Sequence, residues 1–191
     1  GRRYSGVVDG AVRVLEPGLQ KVALNHAVRR HGDLASYDHY ARRVGVLREV
    51  VEADLPVFYE HQRDREAVAM AAFPSRERDA FMAHWAKTLA NDSALTWTVV
   101  SDGEVAGNIG CWEDDGRRFV GYWIGREFWG RGLATQALAE VIDVVDVRPL
   151  HAYVVKSNVA SIRVLEKCGF VKVGEHASDD GIVELLLKLW A

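Results

Sequence analysis

Gly130-Arg131-Gly132 stands between an apolar run that ends at Ile124 and an amphipathic run that begins at Leu133. A glycine turn between a strand and a helix is suited to holding an anion. Glycine lets the main chain approach a ligand with no Cβ in the way. The first free N–H groups of the helix, with the helix dipole behind them, then hold the charge. The loop has neither the lysine and Ser/Thr of a P-loop nor the spacing GxGxxG. The spacing therefore predicts a phosphate-bearing ligand held by neither common nucleotide loop, with a plain connecting turn as the alternative.

A second segment follows at 151–170. It runs from His151 through Asn158 and Ser161 to Glu166-Lys167-Cys168-Gly169-Phe170. Taken together, Tyr122-Trp123-Ile124, Trp129 to Thr135, and Asn158 to Phe170 resemble the GNAT (GCN5-related N-acetyltransferase) superfamily. The branch they resemble contains the ribosomal-protein N-terminal acetyltransferases. The resemblance covers 44–191 and leaves 1–43 outside it.

That resemblance implies an acyl-CoA co-substrate, acetyl-CoA, and transfer to an amine by direct attack in a ternary complex. The acceptor it implies is a small-molecule amine or a protein N-terminus. It assigns Trp129, Gly130, Arg131, Gly132, Ala134 and Thr135 to the pyrophosphate loop. Arg131 is its charged partner, because a guanidinium matches phosphate oxygens. Trp123 and Ile124 would pair with the pantetheine amides. The N–H of one of them would polarise the thioester carbonyl. Asn158 would bond the pantetheine arm and Ser161 would face the CoA sulfur. Asn158 also suits a helix N-cap, and Ser157 is the alternative cap that would leave Asn158 free. A non-catalytic acyl-CoA sensor of the same fold is the alternative function.

The chain departs from the family twice. Phe119 stands where many relatives have a glutamate before the loop, and Leu165 where many have a tyrosine acid. At neutral pH only about one alkyl amine in two thousand is unprotonated, so a base matters. The candidates are Glu113, Asp114, Tyr122, His151 and Glu175, with Tyr122 and Glu113 leading. Seven histidines and two cysteines show no metal-ligand spacing, and no metal is expected.

At 191 residues and 49% hydrophobic, the chain has the size of one domain with a sizeable core. No membrane-length apolar run occurs. A net charge of −3 gives no general case for nucleic acid. Two cysteines read as free thiols, and with no signal peptide visible the expected location is the cytoplasm. Residues 1–43 carry eight Arg/Lys against four acids, which makes them +4 and leaves 44–191 at −7. This extension is free to be solvated, to dock on its own domain, to meet a partner subunit in a homodimer, or to bind an anion.

The elements that must position these residues follow from periodicity. In the extension, 7–15 reads as a strand and 17–30 as a helix. From 44 onward the order is β α α β β β α β α β β. The strands are 44–50, 95–101, 105–112, 118–124, 150–155, 170–175 and 182–190. The helices are 52–62, 75–89, 133–145 and 158–168. The helix at 133–145 has Ala134, Ala137, Leu138, Val141, Ile142 and Val145 as its buried face. Ser101-Asp102-Gly103-Glu104 and the segment 113–117 are turns. This is a mixed α/β fold with helices flanking one central sheet.

Overall fold

The computed structural model describes residues 46–177 and 181–190. The strand at 7–15, the helix at 17–30 and the start of the strand at 44 lie outside the described residues. Seven strands form one sheet: β1 (Leu47–Glu49), β2 (Leu95–Ser101), β3 (Glu104–Asp114), β4 (Arg117–Ile124), β5 (Leu150–Val155), β6 (Val171–Ala177) and β7 (Val183–Leu189). Their order across the sheet is β1-β2-β3-β4-β5-β7-β6. The helices are α1 (Leu55–Arg63), α2 (Arg65–Ala71), α3 (Arg78–Leu89), α4 (Leu133–Val144) and α5 (Val159–Lys167). None of the described helices is long and apolar enough to cross a membrane.

The hairpins follow from turn chemistry. Asp102 and Gly103 adopt φ of 53° and 86°, and Asp115 and Gly116 adopt 48° and 68°. Two consecutive positive φ values match the right-handed strand twist, and Asp-Gly supplies them cheaply. This fixes β2, β3 and β4 as a meander.

Two expectations need correction. The helix expected at 75–89 begins only at Arg78, because Glu77 is its extended N-cap (φ −62°, ψ 154°). The sequence reading also passed over α2. Its start was legible: the Asp64 carboxylate accepts the N–H groups of Glu66 and Ala67, both at 3.0 Å. Seven residues are too few for a helical period to stand out.

All neighbouring strands are antiparallel except β4 and β5. That parallel pair holds only at Arg118↔Leu150 and Phe119↔His151. β4 stays paired with β3 as far as Ile124↔Gly107. Its other edge is therefore free from Val120 onward, and a gap opens in the sheet. Gly107 permits the close approach of β3 there, since a Cβ on it would lie 2.1 Å from the Trp123 carbonyl oxygen.

Two cores hold the sheet. On one face Val120, Ile124, Leu150 and Leu187 pack with Ala137, Leu138 and Val141 of α4 and Leu165 of α5. On the other, Phe58, Phe81 and Trp85 of α1 and α3 form a smaller cluster. Ala134 and Ile142 were expected inside but are only partly buried, and Ala134 faces a cavity instead. α1 is tied to the sheet through buried Asp54, which accepts hydrogen bonds from Arg48 and Thr98, each at 2.6 Å.

Candidate active site

A cavity of about 410 Å³ lies between the free edge of β4, the N-terminus of α4 and one face of α5. It continues through the gap to Ala67, Met70 and Ala71 of α2.

The strand edge comes first. The Gly125 N–H donates to the Ala106 carbonyl at 2.9 Å. Alternation along an antiparallel pair sends Trp123 the same way, toward β3. Tyr122 and Ile124 then point their N–H and C=O groups into the gap. The Ile124 carbonyl is met there by the Trp129 indole N–H at 2.9 Å. Of the two N–H groups expected to polarise a carbonyl, the register leaves Ile124 free and commits Trp123 to the sheet. The Trp123 side chain lines the cavity, with its indole N–H on the His61 carbonyl at 3.1 Å.

The loop comes next. Gly130 and Gly132 have φ of 75° and 79°, a region L side chains rarely adopt. No protein atom lies within 4 Å of where a Cβ would sit on either. Glycine thus suits both positions by backbone conformation, and the space in front of both is open. Gly132 is the N-cap of α4, and no side chain caps it. The N–H groups of the first turn, including Ala134 and Thr135, have no intrahelical acceptor and stand at the cavity wall.

Arg131 is turned away. It donates to the Glu127 carbonyl at 3.0 Å, stacks over Phe128 at 5.1 Å and stands 3.9 Å from Asp102. Among the described residues the cations lining the cavity are Arg163 and Lys167, and neither has an ion-pair partner. The sequence reading missed both. Their signal was the recurrence of Ala160, Arg163, Val164 and Lys167 at i, i+3, i+4 and i+7, one stripe of α5.

The orientation of α5 is set at its end. The Cys168 thiol meets the Thr135 carbonyl at 3.6 Å, which brings the Lys167 end beside the uncapped first turn of α4. Asn158 is the N-cap, with its side-chain oxygen accepting the Ser161 N–H at 3.0 Å. The alternative of a Ser157 cap is therefore overturned, and the Asn158 carbonyl oxygen is spent on the helix. Ser161 lies on the cavity wall beside Tyr122.

The Tyr122 hydroxyl is buried with no hydrogen-bond partner. Burial pushes its pKa up to about 12, and the adjacent Ser161 hydroxyl offsets this only in part. A phenol that keeps its proton at neutral pH does not act as a base there. Glu113 is not brought to the site. It is exposed, 3.7 Å from Arg118, and does not line the cavity. His151 is buried with its Nδ1 at the Arg118 carbonyl. Lys172 and Lys156 hold the Glu175 carboxyl at about 2. No carboxylate or imidazole is among the described residues that line the cavity.

Residues 46–171 match the acetyltransferase (GNAT) domain family. The chain belongs to the GNAT acetyltransferase family. A segment of 66 residues is 33% identical to an uncharacterized N-acetyltransferase, p20, of Bacillus licheniformis. That match covers 32% of this chain and 37% of the relative, so the chain spans little over a third of that protein's length. Among solved structures, the spermidine N-acetyltransferase of Vibrio cholerae in complex with CoA and spermine has a TM-score of 0.66 at 17% identity. The similarity covers 75% of this chain and 94% of that one. RimL, a ribosomal L7/L12 α-N-protein acetyltransferase in complex with coenzyme A, has a TM-score of 0.65 at 16% identity. It covers 75% and 92% of the two chains. At these identities the structural matches establish the GNAT fold.

Proposed function

We propose that this chain moves an acetyl group from acetyl-CoA to a primary amine by direct attack in a ternary complex. The observation that carries this reading is one cavity holding three complementary features. These are the uncapped N-terminus of α4, the free N–H groups of β4 and the protonated hydroxyl of Tyr122. The diphosphate belongs at Gly130 to Thr135, with Arg163 and Lys167 beside it. The pantetheine amides pair with the β4 edge at Tyr122, which leaves the Ile124 N–H for the thioester carbonyl. The Asn158 side-chain amide nitrogen, not used in the cap, faces the arm. The names of the relatives, acetyltransferases captured with CoA, support the same donor.

The reaction balances simply. The neutral amine nitrogen attacks the thioester carbon, the N–C bond forms and the C–S bond breaks. The oxyanion that develops is met by the Ile124 N–H. The CoA thiolate takes a proton from Tyr122 or from the neighbouring Ser161, and the proton lost by the ammonium goes to solvent on the acceptor side. Within the same proposal the protein works in the cytoplasm, and residues 1–43 shape the acceptor site or a homodimer contact.

The decisive experiment measures thiol release with acetyl-CoA and a panel of amines, alongside melting. At about a hundred times Kd, acetyl-CoA is expected to add roughly 2.7 kcal/mol of stability by mass action. For a chain of this length that is about 5–10 °C. No shift with millimolar acetyl-CoA or CoA would overturn the assignment. A shift with no thiol release for any amine would leave the sensor function in its place.

Replacing Arg163 and Lys167 together with alanine is expected to weaken CoA binding about ten-fold, more at low salt, since screened charges carry the contact. Calorimetry at two ionic strengths tests this, and equal affinity at low salt would remove both residues from the phosphate end.

A further inference from the structure

His61 is a buried imidazole that the transfer chemistry above does not use. It stands on α1, only 6% exposed, and it is not among the residues that line the cavity. Its Nδ1 meets no hydrogen-bond partner among the described residues. Its Nε2 lies 3.4 Å from the carboxylate of Glu127, an exposed side chain. Burial holds the ring below the ordinary histidine range, against the opposing pull of Glu127, so it is neutral at pH 7. A neutral ring with one polar contact acts chiefly through what it packs against.

It packs against the turn that leads from β4 to the glycine loop. Gly125 has φ −56° and ψ 140°, a conformation open to any residue. Its lack of a side chain serves a neighbour instead, since a Cβ there would lie 2.6 Å from the His61 Nε2. The imidazole occupies the space that a side chain at 125 would fill. The same ring meets Phe128 edge-on, with centroids 6.2 Å apart and planes at 73°. Phe128 is buried and carries the Arg131 guanidinium over its own ring at 5.1 Å. Arg131 in turn donates to the Glu127 carbonyl at 3.0 Å. A continuous stack therefore runs from α1 through Phe128 to the residue between Gly130 and Gly132. No protein atom lies within 4 Å of where a Cβ would sit on either of those glycines, so their loop is held from behind, by this stack.

We propose that His61 is a positioning residue. Through Gly125, Glu127 and Phe128 it seats the Gly130–Gly132 loop where the diphosphate of acyl-CoA is held. This rests on the acyl-CoA site proposed above. Arg131, turned off the cavity, then serves the shape of the loop rather than its charge.

Calorimetry with CoA on the full chain tests this. His61→Ala is expected to raise the CoA Kd about ten-fold, and in turnover to raise the acetyl-CoA KM while the acceptor KM stays within about two-fold. Gly125→Ala drives a methyl group into the ring and is expected to raise the Kd about ten-fold as well. The two losses come from one contact. The double variant is therefore expected to stay within about three-fold of His61→Ala, whereas independent sites would multiply to about a hundred-fold. Glu127→Ala changes an exposed side chain, is expected to cost about three-fold, and keeps the test open where the buried variants fail to fold. An unchanged Kd in folded His61→Ala or Gly125→Ala, or in Glu127→Ala where neither folds, would overturn the proposal and leave the acyl-CoA site standing. Losses that multiply in the double variant would remove the shared contact. An acceptor KM that rises as much as the acetyl-CoA KM would reduce His61 to a residue of the core. A parent chain that binds no CoA would overturn this proposal together with the acyl-CoA reading.

Discussion

Tyr122→Phe is expected to lower kcat about a hundred-fold while leaving the acetyl-CoA Kd and the melting temperature unchanged. A positioned acid typically contributes about 10²–10⁴-fold. The CoA thiol resembles a free cysteine, near 8.5, and leaves partly unassisted, which puts the effect at the low end of about 10². Stability is little changed because the Ser161 hydroxyl beside the lost group is half-buried at the cavity wall, where water can replace the phenol. Removing the phenol hydroxyl therefore strands no partner. Ser161→Ala is the comparison. If Ser161 rather than Tyr122 delivers the proton, its variant carries the larger loss. If it only supports the tyrosine, the loss is about ten-fold or less. With the phenol near 12, no alkaline limb of the pH–rate profile between pH 6 and pH 9 belongs to Tyr122, since loss of its proton lies about three units above that upper end. Equal turnover in Tyr122→Phe would retire it as the donor.

Gly132→Val is expected to weaken acetyl-CoA about a hundred-fold while the fold survives. The position sits at φ 79° with no protein atom near an added Cβ, so nothing in the core is struck. Forcing a β-branched residue into the left-handed region costs about 1–3 kcal/mol, and relaxing that strain turns the first-turn N–H groups of α4 off the diphosphate. Hydrogen bonds to charged groups are worth about 1.5–3 kcal/mol each, so losing two of them accounts for about 10²-fold. Calorimetry with CoA decides it, with circular dichroism to confirm the helix content. An unchanged Kd would place the diphosphate elsewhere on the chain.

The local elements were largely legible in residue order. Asp-Gly pairs set two hairpins, and Gly130 and Gly132 marked the helix start. The alternation of β2 and β4 set which side chains go inward, because strand and helix periods are local properties of the chain. α2 escaped because one capped run of seven residues carries too little period to register.

The site was decided by tertiary structure. That β4 and β5 meet at two residue pairs and then part is a long-range event, and it creates both the free N–H groups and the gap. The Thr135–Cys168 contact seats α5 beside α4 with the exposed Arg163 and Lys167 at the cavity wall, while Arg131 folds back onto Glu127. The Tyr122 phenol is pushed up to about 12 because packing removes water from its hydroxyl. Desolvation depends on what surrounds an atom, and no spacing along a chain encodes it. The sequence by itself carried the family resemblance and the glycine turn at Gly130 and Gly132 ahead of α4. The direction in which each candidate group faces, and so which of them meet, was settled by the packing of distant segments.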